Sequence, residues 1–312
     1  MLALHLAAPV TATVLSPPVT LHQLLTGFQT DALILPTYGI EVALVVWYVA
    51  CVRRLRQKGR HWSPWRTASF VAGLACVFFV TGSGIASYDD SNFVMHVVQH
   101  LVLMNVAPIF LGLGAPITIA LQAATRPLQS RILRVLNSRP VSIVTFPVMA
   151  AAISYVTMIV YFLTPAYSFS LRHPLFHDYT HLHFLLAGCI YWWVVIGVDH
   201  SRWRMSFPAK LAYLASGIPV NAILGIALVN SRLSIDPAAH TVSDTHAGGA
   251  VLWGIGELIL IAGLAIFFVQ WSNYDRREAI RTDRRLEREL AERPDALAGG
   301  TLGLRPPQPP AE

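Results

Sequence analysis

The chain has 312 residues, of which 54% are hydrophobic and only 13% charged, with a formal net charge of +6. Its mean hydropathy of +0.51 excludes an ordinary soluble domain, in which about a quarter of the residues are charged. The pI near 9.5 does not signal nucleic acid, because no recognition fold and no single basic face accompany it.

In chain order, the first thirty residues contain no Lys or Arg and so lack the basic start of a secretory signal peptide. Pro9, Pro17 and Pro18 argue against a membrane-crossing helix there, and residues 1–32 read as an outer tail. Seven apolar stretches follow, each about the 20 residues that a helix needs to cross the hydrocarbon core. They cover 33–52, 67–87, 93–113, 141–163, 182–199, 211–231 and 248–271. The third is expected to kink at Pro108 on its way to Pro116. From Asp275 the chain mixes charges at helical spacing, which predicts a cytoplasmic helix over 272–293. The Ala/Gly/Pro-rich residues 294–312 read as a disordered tail. The fold class is therefore all-α, a polytopic membrane protein with seven transmembrane helices over 33–271.

The basic residues orient it. All but Arg172 and Arg232 of the 23 Lys and Arg lie in alternate loops or the C-terminal tail, from Arg53–Arg66, Arg126–Arg139 and Arg202–Lys210 to Arg276–Arg305. The positive-inside rule then puts the N-terminus outside and the C-terminus in the cytoplasm, as an odd number of spans also requires. A multi-pass protein of the cell membrane follows, its basic loops facing the anionic lipid of the bilayer. Cys51, Cys76 and Cys189 fall inside spans with no C-x-x-C pair, and read as small buried residues rather than thiolate ligands.

On this topology all twelve histidines except His61 and His200 lie on the outer side. Neutral imidazole is the commonest metal-ligating side chain, so the crowding suggests a metal site. His96 and His100 are four apart and share one helix face, with Met104 one turn deeper. A His/His/Met line suits copper, since imidazole and thioether both bind it. The segment HPLFHDYTHLHF places His173, His177 and His181 at i, i+4 and i+8, so a short interfacial helix would align them and point His183 elsewhere. Asp178 is placed to orient an imidazole through its second ring nitrogen. The last outer loop adds His240, Asp244 and His246, and Asp89 and Asp90 would raise the local cation concentration. Glu41 and Glu257 lie at depths where a charge faces the bundle interior or a pathway. Against this stands the plainer reading of satisfied polar side chains at headgroup level.

The segment FVMHVVQHLVLMNVAPIFLGLGAPITIAL resembles the CtaG family of caa3-type cytochrome c oxidase assembly factors, through His96, Gln99, His100, Ala107, Pro108 and Leu113–Pro116. HPLFHDYTHLHFLLAGCIYWWVVIGVD and DTHAGGAVLWGIGE are similar to two further family segments, the latter through Asp244, Gly248, Gly249, Trp253, Gly256 and Glu257. VRRLRQKGRHW and QWSNYDRREAIRTDRR resemble actinobacterial-type members. The chain departs from the pattern in span six, where Pro219 is followed by Val220, Asn221 and Ala222 in place of a family histidine, and His246 follows Asp244-Thr245.

The resemblance implies assembly of cytochrome c oxidase, acting on its copper-containing outer parts, with oxidase subunits or a copper chaperone as partners. The expected mechanism is transient copper binding by His96, His100, His177, His181 and His183. Two rivals are a haem-binding redox protein, with His100 opposite His181 or His183, and a metal permease lined by Glu41, Glu257 and Met104. No nucleophile–base pair, phosphate loop or catalytic carboxylate pair indicates an enzyme.

Overall fold

The structure, a computed structural model, describes residues 20–29 and 35–292, all of whose regular elements are helical. The expected disordered tail, residues 294–312, lies outside the described residues, as does most of the N-terminal tail. The described piece of that tail does not hang free. It forms α1 (Leu21–Thr26), from which Gln23 Oε1 accepts a 2.6 Å hydrogen bond from the Tyr88 hydroxyl, while Gln29 N–H reaches Gly82 O at 2.9 Å.

The first two spans are α2 (Leu35–Gln57) and α3 (Pro64–Gly82), extended by α4 (Gly84–Tyr88). The third span is a chain of pieces: α5 (Phe93–Leu101), a π-helical turn over Val102–Val106, α6 (Ala107–Leu113) and α7 (Pro116–Ala123). The cause is Pro108. It has no N–H for the carbonyl of Met104 and its ring crowds that carbonyl, so the backbone widens by one residue just before it. The expected kink is thus a π turn, followed by a true break at Ala115. Ala115 adopts φ 52°, consistent with the bias of a residue before proline away from the right-handed helix.

Short α8 (Arg126–Leu136) and α9 (Arg139–Val144) lead into α10 (Pro147–Leu163) and α11 (Ala166–Arg172). These last two meet at a bend of 72°, as in a broken span or a re-entrant loop. Then come α12 (Pro174–Ile196), α13 (Phe207–Ala215) with α14 (Gly217–Val229), and α15 (Val242–Glu292). Six helices are long and apolar enough to cross a membrane, or seven with the bent pair counted as one. Proline opens α3, α7, α8, α9, α10, α12 and α13, a position where its missing N–H costs nothing and its φ is already helical.

Two compact units divide the chain, Met1–Leu264 and Ala265–Glu312. In the second, the described part is the end of α15, mostly apolar as far as Trp271 and charged beyond it, where Arg285 and Glu289 pair at 2.8 Å. In the first, one apolar core joins Phe93, Val97 and Leu101 of α5 to Tyr161, Phe162 and Phe184, and another joins Tyr48, Phe70 and Ile119. Gly188 on α12 lets that helix press against the π turn, since a Cβ there would collide with the carbonyl oxygen of Met104. This contact sets the faces of α5 and α12 against each other, and both carry histidines one to three turns above it.

Candidate metal centre

The fifth span starts earlier than expected. Pro174 opens α12 directly after His173, so His177 and His181 are not on a separate interfacial helix but on the first turns of the span, four residues apart on one face. They meet His96 and His100 on α5. Ring centroids are 4.3 Å apart for His96–His100, 5.5 Å for His96–His177, 4.6 Å for His177–His181 and 5.4 Å for His100–His181. Four imidazoles from two helices therefore make one closed group. His96 and His100 are wholly buried and His177 nearly so.

Asp89 completes it. Its Oδ2 stands 3.6 Å from His177 Nε2 and 3.6 Å from His181 Nε2, and one ligand atom from each of these three residues lies within 4.8 Å of the others. Those separations are too long for good hydrogen bonds and both Nε2 atoms are buried without a partner. Asp90 Oδ1 lies 3.3 Å from His177 Nδ1, which favours the tautomer with its proton on Nδ1 and a lone pair on Nε2. A lone pair facing a carboxylate oxygen is repelled unless a proton or a metal cation lies between. A tetrahedral ion with ligands at about 2.0–2.1 Å would hold its donors about 3.3 Å apart; the two separations from Asp89 are 3.6 Å and all three atoms lie within 4.8 Å. Burial, then the neighbouring Asp90 charge, holds the Asp89 carboxyl well above its usual pKa range, against a lowering hydrogen bond from the Gln99 side chain.

Hydrogen bonds also fix the tautomer of His96. Ser170 Oγ–H donates to Tyr167 O at 2.7 Å and Thr180 Oγ1–H to His177 O at 2.7 Å, so both hydroxyl protons are committed. The Tyr161 hydroxyl, 2.9 Å from Ser170 Oγ, is then the donor in that pair. It must accept from His96 Nε2–H at 3.1 Å. The His96 Nδ1 lone pair is left buried with nothing to accept from. His100 is barer still, with neither ring nitrogen bonded and the Phe184 ring at 4.1 Å. Each such buried, unpaired group costs about 1–3 kcal/mol. Five orphaned imidazole nitrogens in one cluster are not an ordinary core.

A cavity of about 270 Å³ opens beside this group, lined by Asp89, Asp90, His177, Asp178 and His181 among others. On the other flank His240 is buried, its Nε2 2.6 Å from the Tyr167 hydroxyl and its Nδ1 unpartnered. Burial lowers its pKa, with Asp244, Asp236 and Asp90 pulling it part of the way back.

The remaining candidates lie elsewhere. His173 Nδ1 bonds Phe169 O at 2.9 Å and the ring stacks on Phe169. His183 meets Thr157 Oγ1 at 2.9 Å, and His246 Nε2 meets Ser231 O at 2.8 Å. Each has a bonded partner of its own outside the cluster. Asp178 is exposed at the mouth, and Asp89 and Asp90 are the carboxylates that touch the rings. Asp244 closes the first turn of α15, accepting from Thr241 N–H at 3.0 Å while its own N–H bonds Thr241 Oγ1 at 3.1 Å.

Met104 is deeper, in a small cavity of about 30 Å³ with Asn105, Ser154, Met158 and Asn221. The departure at Asn221 therefore falls in that cavity. Glu41 is buried on α2 and Glu257 half-buried on α15, each with an unpartnered oxygen; neither is among the residues lining the two cavities just described. Asp89 carried a signal in the sequence, a carboxylate seven residues before His96. Its contact with α12 did not, because that depends on how two helices pack.

No solved structure matches this chain. It is 28% identical over 295 residues to uncharacterized proteins of Mycobacterium bovis and of Mycobacterium tuberculosis, and 27% identical to one of Mycobacterium leprae. These alignments cover 89% of this chain and 44% of each relative, so the chain spans less than half the length of the curated relatives it matches. Residues 46–274, which hold the four-histidine group, Asp89 and every span after the first turns of α2, match a family described as cytochrome c oxidase caa3 assembly factor. The chain belongs to that family, Caa3_CtaG.

Proposed function

We propose that this protein serves the biogenesis of cytochrome c oxidase in the cell membrane as a copper-binding factor. Copper, as cargo, is held by Asp89, His177 and His181 and passed to an oxidase subunit or a partner chaperone. The observation that carries the reading is the single Asp89 oxygen set between two unpartnered imidazole nitrogens at equal distance. Imidazole and carboxylate donors suit copper and zinc alike, and the family's task, assembly of a copper-containing oxidase, selects copper. On the positive-inside reading of the arginines this group faces the outer side of the membrane, and the open cavity beside it would give cargo a way in and out.

Delivery favours a site with few ligands and an open side over a closed structural one. Asp89, flanked by Asp90 and Asp178, draws cations to the mouth, and Asp90 keeps the His177 ring in its ligating tautomer. A haem between His100 and His181 is the weaker reading. Phe184 at 4.1 Å and Tyr161 at 5.0 Å from His100 occupy the space a macrocycle needs.

The test is to replace the chromosomal gene by one encoding His181→Ala and to measure the copper and haem of the purified oxidase. The expected result is an oxidase depleted of copper, with the variant protein still present in the membrane. Fully metallated oxidase in that strain would contradict the reading.

A further inference from the structure

We propose that the histidine group holds two metal ions, not one, with His96 and His100 forming an inner station sealed behind the outer Asp89–His177–His181 station. The inference rests on the copper reading above and extends it.

The open cavity is bordered by Asp89, His177 and His181, whereas His96 and His100 do not line it. From this cavity, an ion reaches His96 by way of the outer pair. The inner pair has what a ligand set needs. It is completely buried and its rings stand 4.3 Å apart on successive turns of α5. The His96 lone pair on Nδ1 is exposed by the tautomer that Tyr161 imposes, and His100 offers whichever nitrogen is needed, since neither is bonded. Water does not explain the arrangement as well, because a buried water wants two to four polar partners, including acceptors for its own protons. Around His100 stand the rings of Phe184, Phe162 and Tyr161 on one side and the imidazoles of His96 and His181 on the other, so the polar groups beside it are chiefly the other ligand candidates.

The two stations face each other ring to ring, His96 toward His177 at 5.5 Å and His100 toward His181 at 5.4 Å. An ion can therefore move between them by exchanging one imidazole for the next, without leaving the ligand cluster. The charge also balances for two monovalent ions, because Asp89 and Asp90 are the carboxylates that contact the rings. The outer station, with its carboxylate, fills first. The inner one, made of neutral rings alone, fills second and more weakly.

The experiment is equilibrium dialysis of the purified full chain against copper(I) kept reduced with ascorbate, reading copper per chain at saturation. Two ions are expected for the wild type, and one for His100→Leu. Leucine replaces the ring by an apolar group of similar size and leaves no bond broken, so thermal unfolding of the metal-free variant should occur at the wild-type temperature or above it. One copper in both proteins would overturn the inner station while leaving the outer one standing. No copper in the wild type would overturn both. Two ions retained in the variant, or a marked loss of its metal-free stability, would show that His100 is a structural residue and not a ligand.

Discussion

Two buried aspartates at different loops of this bundle make opposite use of the same chemistry. Asp199, just past α12, is finished. Its two oxygens accept hydrogen bonds from Ile117 N–H at 3.1 Å, Thr118 N–H at 2.6 Å and the Thr118 hydroxyl at 2.6 Å, capping α7 where the chain restarts after the Ala115 break. Burial pushes its carboxyl up, and those donors pull it back. Asp89, just past α4, interacts with the Gln99 side chain but faces two imidazole nitrogens, both without a partner, at distances too long for good hydrogen bonds. A buried carboxylate that anchors a helix needs nothing more, whereas one set among orphaned nitrogens is, on the proposed reading, a ligand awaiting its cation. The contrast separates structure from site more reliably than burial, which the two share.

The sharpest way to break the comparison is to exchange the consequences. Asp199→Ala should cost stability, about 2–4 kcal/mol for a lost cap with charge-assisted bonds, read as a lower unfolding temperature in detergent with copper content unchanged. Asp89→Ala should do the reverse, abolishing copper retention on dialysis while costing about 1–2 kcal/mol of metal-free stability, because only the Gln99 interaction is lost and the contacts to the two imidazoles are too long for good hydrogen bonds. If Asp89→Ala unfolds the protein and Asp199→Ala strips its copper, the assignment of roles is wrong.

A smaller effect is expected for the orienting carboxylate. Asp90→Asn should weaken copper binding by roughly 10–100-fold, the usual cost of losing a partner that fixes a ligand's tautomer, measured by competition with a chelator. Acidification should also release the metal, because ligation requires an ionised carboxylate and neutral imidazoles. Burial raises the pKa of Asp89, so protons compete for it above the ordinary carboxylate range, and copper loss should begin at higher pH than for an exposed aspartate. Stepwise dialysis from neutral pH downward checks the sign. The smallest effects should come from the histidines bonded elsewhere: His173→Ala, His183→Gln and His246→Gln should each keep the full copper complement.

The fold was largely legible because its code is coarse. Seven apolar stretches and the loop arginines specify spans and their order, and Pro108 announces the irregularity of the third. The boundaries were less so. Apolar length alone starts the fifth span near 182, since HPLFHDYTHLHF looks polar, yet Pro174 is a better marker of where α12 begins. That one shift decides which histidines converge, putting His177 and His181 on the face toward α5 and leaving His173 behind as the residue before the helix.

The i, i+4 pair His96 and His100 could be read from spacing alone. Met104 could not be excluded that way, because the π turn that precedes Pro108 begins between it and His100 and changes the register of the face. Asp89 and Asp90 were visible as acids, but their role depended on an approach between α4 and α12 that no local pattern encodes.

The central claim is that copper is held here by imidazole nitrogen and carboxylate oxygen from two facing helices and the turn after α4, without sulfur. X-ray absorption at the copper edge on the loaded, purified chain tests it most directly. The account predicts a first shell of nitrogen and oxygen only, with the outer-shell scattering of imidazole rings that disappears in part in His177→Ala. A sulfur neighbour, or a spectrum unchanged by that substitution, would contradict it.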